Sequence, residues 1–194
     1  MQKTLKKVLA GLAITGALAT TVSAGEINVN IYGLSYHLKA DQAYKNAPRS
    51  AFNSDGEYVY NPGIGIEYDF RNKGEMGWSA YTTASYFKDC ADYPFYFVGV
   101  GARYRNHFFN SSHWFWEANL AGAVANAEDW DVVNDEAVSY GREFTFLPVA
   151  SVGIGYQFEN KQFIKYQITY VPENNDIGGT SGTDLLFMWI TYGF

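Results

Sequence analysis

Asp184-Leu185-Leu186-Phe187-Met188-Trp189-Ile190-Thr191-Tyr192-Gly193-Phe194 closes the chain, and its reading decides the fold. Counted by twos, Leu186, Met188, Ile190, Tyr192 and Phe194 share one face, and Leu185, Phe187, Trp189 and Thr191 share the other. A strand with an outward apolar face, aromatic residues at its end and an aromatic last residue fits a barrel wall in lipid.

Working back from that strand, period-2 segments recur along the chain. They predict eight strands over roughly 27–39, 57–70, 77–88, 95–105, 114–125, 143–158, 162–171 and 184–194. Each is long enough for a membrane-spanning strand, which needs about 9–11 residues. The connections at Asp41–Gly56, Asp89–Pro94, Asn126–Arg142 and Pro172–Thr183 are polar and mostly long. Those at Arg71–Gly74, Asn106–His113 and Glu159–Lys161 are mostly shorter. The expectation is an all-β, eight-stranded antiparallel transmembrane β-barrel of the outer-membrane type, with both termini in the periplasm.

Residues 1–24 read as a secretory signal. Lys3, Lys6 and Lys7 form its charged start, Val8 to Ala19 its apolar core, and Val22-Ser23-Ala24 its cleavage site. Cleavage there leaves 170 of the 194 residues, 25–194, as one barrel domain. Tyr, Phe and Trp make up 18% of the chain and there are 19 glycines, the usage of aromatic girdles and closely packed strands. The signal holds three of the 14 basic residues and no acidic ones, so 11 basic face 20 acidic residues in the remainder. That net −9 excludes nucleic acid as a partner. Cys90 is the sole cysteine, so it is either a tolerated thiol or a chemically used one.

Parity also sorts the lumen. In strand 2, Tyr58, Tyr60, Ile64, Ile66, Tyr68 and Phe70 should meet lipid, and Val59, Asn61, Gly63, Gly65, Glu67 and Asp69 should point inward. Inward residues near the external rim are apolar: Val59, Phe95, Phe97, Leu147, Val149, Leu185 and Phe187. Lower down they are Glu67, Asp69, Arg103, Glu117, Asn119, Gln157, Lys165 and Gln167. A small barrel can simply fill its interior with such side chains. An apolar external half also suits a well for an acyl chain, and Gly63, Gly65, Gly99, Gly101, Gly153 and Gly155 are expected to leave that well underfilled.

At the rim, counting by twos places Gly33, Ser35 and His37 inside. Asp89 and Cys90 end strand 3 at the same level, and strands 1 and 3 both flank strand 2. A histidine beside a carboxylate can act as general base, and a thiol can donate a proton or attack. The bland alternatives are a solvated histidine, a surface ion pair and an inert thiol. His107 and His113 stand in no metal-binding spacing, and no cofactor motif occurs.

These residues resemble a known family. Tyr36-His37 followed by Tyr44, Phe87-Lys88-Asp89 followed by Cys90, Gly99-Val100-Gly101, Leu147-Pro148-Val149-Ala150-Ser151-Val152-Gly153 and Thr169-Tyr170-Val171-Pro172 occur in the order and spacing of motifs in PagP-type lipid A palmitoyltransferases. The resemblance spans roughly residues 32–194. It implies an enzyme without cofactor or metal, an outer-membrane monomer moving a palmitoyl-type chain from a phospholipid to lipid A. On it, His37 and Asp89 fall on the catalytic histidine and aspartate, and Gly101 on the floor of the acyl pocket. Pro148 and Pro172 fall on prolines that loosen the wall for lateral lipid access. Cys90 stands where the family has serine, Tyr32 where it has a strand 1 proline, and no amphipathic helix precedes strand 1. The alternative is a non-catalytic barrel that binds or passes a small amphiphile. A lipid A deacylase ranks below both, because no His-x-Ser-Asn run is present.

Overall fold

The computed structural model describes residues 25–38, 58–90, 92–108, 110–134, 136–171 and 185–194. Its eight strands are β1 (Glu26–His37), β2 (Tyr58–Asp69), β3 (Gly77–Lys88), β4 (Pro94–His107), β5 (Trp114–Val133), β6 (Glu136–Gln157), β7 (Phe163–Val171) and β8 (Leu185–Gly193). Every strand pairs antiparallel with its sequence neighbours, and β1 pairs with β8 to close the barrel. The signal assigned to residues 1–24 lies outside the described residues, as does Pro172.

Alternation produces the two faces. Ile31, Leu120 and Val152 are more than half exposed on the outside, in a band of similar residues around the wall. Aromatic pairs border that band at both ends: Tyr36–Tyr58 and Tyr86–Tyr96 near the rim, Trp78–Tyr104 and Tyr104–Trp116 near the termini. An apolar belt between two aromatic girdles on an edgeless cylinder is the solution to spanning lipid, where every backbone group must be paired internally. The protein is an outer-membrane β-barrel. The backbone N–H of Phe194 donates to the Ile27 carbonyl, so the two ends of the barrel sequence meet on one side, the periplasmic side by the loop rule.

Two expectations change. The segment 126–142, expected as a loop, is mostly strand: β5 and β6 stay paired to Val133↔Glu136 and form a ribbon beyond the rim. Its turn is made by Asn134 in the left-handed region at φ 52°, a conformation asparagine tolerates. A ribbon above the membrane has no lipid face, so the apolar alternation that marks the other strands disappears there.

The second change is in β1. Register shifts between Tyr32 and Leu34 against both β2 and β8. This bulge reverses the parity, so Tyr32 is the buried lumen residue and Gly33 takes up the irregularity. Ser35 and His37 still point inward as expected.

The periplasmic half of the lumen is filled by charge. Four carboxylates, Glu26, Glu67, Asp69 and Glu117, face four cations, Arg71, Arg103, Arg105 and Lys165. Glu117 accepts from Arg105 Nε at 2.8 Å and from Lys165 Nζ at 2.5 Å. Arg105 also lies over the Phe115 and Phe163 rings. Above this plug Asn30, Thr191 and Gln167 are joined through the Thr191 hydroxyl.

Candidate functional site

The external half holds an aromatic cluster. Tyr32, brought inward by the bulge, stacks on Phe187 at 5.5 Å and touches Phe87 and Trp189. Phe87 stacks on Phe95 at 4.7 Å. Beside these rings lies a cavity of about 120 Å³, bounded also by Tyr81, Thr83, Leu147, Val149, Leu185 and Trp189. The external half is therefore not a solid core. The cavity is close in size to engineered cavities of about 150 Å³ that hold one benzene.

Gly63, Gly65, Gly101 and Gly155 do not create this space. A β-carbon at Gly155 would stand 2.2 Å from the Phe115 ring, one at Gly65 2.2 Å from Ser85 Oγ, and one at Gly63 2.2 Å from Phe87 Cβ. Each makes room for a larger neighbour across the sheet, so the lumen is not underfilled at these positions. At Gly101 the room belongs to Tyr81, whose ring would be 2.7 Å from an added β-carbon. Arg103 lies 3.7 Å from the centre of that ring. Tyr81, rather than Gly101, bounds the cavity.

At the mouth, the structure brings His37 and Cys90 together. His37 Nε2 lies 3.2 Å from Cys90 Sγ. Ser35 Oγ and Asn61 Nδ2 lie 3.8 and 3.9 Å from the same sulfur, and Ser35 donates to Asn61 Oδ1 at 2.7 Å. Asn61 also donates to the Lys88 carbonyl at 3.0 Å. This bond bridges β2 and β3 where their ladder, which begins at Gly63↔Phe87, has not yet formed beside Pro62. Cys90 is buried, and burial together with the neighbouring Asp89 carboxylate pushes its thiol up to about 12. At neutral pH it is a thiol, a weak hydrogen-bond donor rather than a thiolate. The Asp89 carboxylate accepts from the Tyr93 N–H at 2.9 Å and so shapes the turn that carries Cys90.

The wall has one further irregularity. The β6–β7 ladder ends at Ser151↔Thr169, and Pro148 and Tyr170, just above it, both border the cavity. Proline has no N–H to extend the ladder. Counting by twos found Ser35, His37, Asn61 and the rim phenylalanines. It missed Tyr32, although Gly33 and Pro62 side by side were a signal of a bulge.

No protein-family model and no curated protein matches the chain. Solved structures that it resembles include Neisserial surface protein A, with a TM-score of 0.49 and 11% identity over 88% of this chain and 96% of that one. Others are Ail, the attachment invasion locus protein of Yersinia pestis (0.44, 11%, 89% and 100%), and the N-terminal β-barrel domain of Pseudomonas aeruginosa OprF (0.44, 12%, 88% and 98%).

Proposed function

We propose that the protein is a non-catalytic outer-membrane barrel that binds one small amphiphile in the external half of its lumen. The observation that carries this reading is the ring-lined cavity of about 120 Å³, closed below by ion pairs and bordered by Pro148 and Tyr170 at the β6–β7 discontinuity. A guest enters sideways from the outer leaflet through that discontinuity and leaves its polar end at the rim. The ion-paired plug below makes passage of solute through the barrel unfavourable, so the site is a container rather than a channel. The test is a titration of 1-hexanol into the folded barrel in nanodiscs, with Val149→Trp as a cavity-filled control. Saturable binding to the parent alone supports the reading; identical partitioning into both would end it.

A second reading is the acyltransferase that the motif order suggests, with a phospholipid as donor and lipid A as acceptor. The 3.2 Å contact of His37 with Cys90 at the cavity mouth favours it. In it His37 is the general base, Asp89 orients the site through its turn, and Cys90 donates a hydrogen bond. One observation weighs against it: the cavity is benzene-sized rather than palmitoyl-sized. Mass spectrometry of lipid A from cells expressing the protein or its His37→Ala variant decides between the readings. An acyl chain added only by the parent would establish the enzyme.

A further inference from the structure

We propose that the guest is a small neutral aromatic alcohol, a phenol-sized ring with one hydroxyl; this rests on the amphiphile-binding reading above. The cavity matches a single ring in size, as noted. Its walls are rings at mutual distances of 4.7–5.9 Å, among them Tyr32, Phe87, Phe95, Phe187 and Trp189. These distances are those of offset and edge-to-face pairs, which a further aromatic ring can extend.

The polar atoms specify the substituent. Among the described residues, Thr83 Oγ1 and Trp189 Nε1 have no hydrogen-bond partner, although the residues are only 7% and 8% exposed. Both residues border the cavity, Thr83 from β3 and Trp189 from β8. Buried polar atoms are nearly always paired, so two orphans on one cavity point to something that pairs them when bound. An indole N–H only donates, whereas a threonine hydroxyl donates or accepts. A guest hydroxyl can accept from Trp189 or donate to Thr83; a hydrocarbon can do neither. Among the described residues, the charged ones that border the cavity are Asp89 and Glu67, the latter ion-paired with Arg103, and no cation is among the lining residues. The lining therefore offers no counter-charge to a carboxylate or phosphate guest. A neutral hydroxyl fits all of these conditions.

The experiment uses the folded full barrel in nanodiscs, with p-cresol, toluene and benzoate as probes and Val149→Trp to subtract partitioning into lipid. Thr83→Val, which keeps the shape and removes the hydroxyl, and Trp189→Phe, which removes the N–H, are compared with the parent. Each variant is expected to lower the ratio of p-cresol to toluene affinity by about tenfold, the effect of one neutral hydrogen bond. Benzoate is expected not to bind. An unchanged ratio with both probes still binding, or benzoate binding as tightly as p-cresol, overturns the aromatic-alcohol assignment and leaves the lumen site standing. Absence of saturable binding by all three probes and by 1-hexanol overturns both.

Discussion

Neutralising Glu117 is the most informative perturbation of the plug. The side chain is fully buried and holds three cations: Arg105 Nε at 2.8 Å, Lys165 Nζ at 2.5 Å and Arg103 Nη1 at 3.7 Å. Glu117→Gln keeps the shape but leaves three carboxylates facing four cations in a space that water does not reach. Removing one partner of a buried ion pair costs about 3–5 kcal/mol, chiefly because the remaining charge stays buried and uncompensated. With a urea dependence of about 1–3 kcal/mol per molar, the unfolding midpoint should fall by about 1–5 M. Adding Lys165→Met restores three against three. The double variant should recover at least about half of the loss, because replacing a whole buried pair is often neutral. Reversible urea unfolding in detergent micelles, followed by circular dichroism, measures all three proteins. A single variant within about 1 kcal/mol of the parent, or a double variant that loses the sum of both singles, would refute the idea that charge balance holds the plug.

Three further outcomes follow from the lumen. Gly101→Ala should destabilise the barrel by about 1–3 kcal/mol in the same unfolding assay, because its β-carbon would meet the Leu120 carbonyl at 2.7 Å as well as the Tyr81 ring. Cys90 in the folded barrel should react with N-ethylmaleimide at neutral pH at least about tenfold more slowly than in denaturant. Its thiol is pushed from 9.0 to about 12, so folding binds the proton more tightly than the unfolded chain does. Stability should therefore be level below pH 9.0 and fall between there and about 12, a slope that Cys90→Ala removes.

The barrel was legible because lipid imposes strict alternation. In β2 and β8 every outward and inward residue follows from counting by twos, and the split of the lumen into a charged floor and an apolar rim follows from the same parity. Legibility ended where that constraint ends. The β5–β6 ribbon stands clear of lipid, so its polar sequence read as a loop. The bulge at Gly33 inverted β1 and hid Tyr32, the residue that roofs the plug and stacks against the cavity rings. The glycines misled for a different reason: absence of a side chain marks space, but only the cross-strand partner shows who fills it, as Phe115 does at Gly155. The meeting of His37 with Cys90 required both the shared neighbour β2 and a turn whose direction no periodicity fixes.

The most direct measurement is the intermolecular nuclear Overhauser effect between protonated 1-hexanol and the otherwise deuterated, folded barrel. A guest in the lumen gives cross-peaks to Phe87, Phe187 and Trp189 that disappear in Val149→Trp. Cross-peaks confined to outward residues such as Ile66 and Ile190 would show that the alcohol sits only in the surrounding detergent, and would contradict the site.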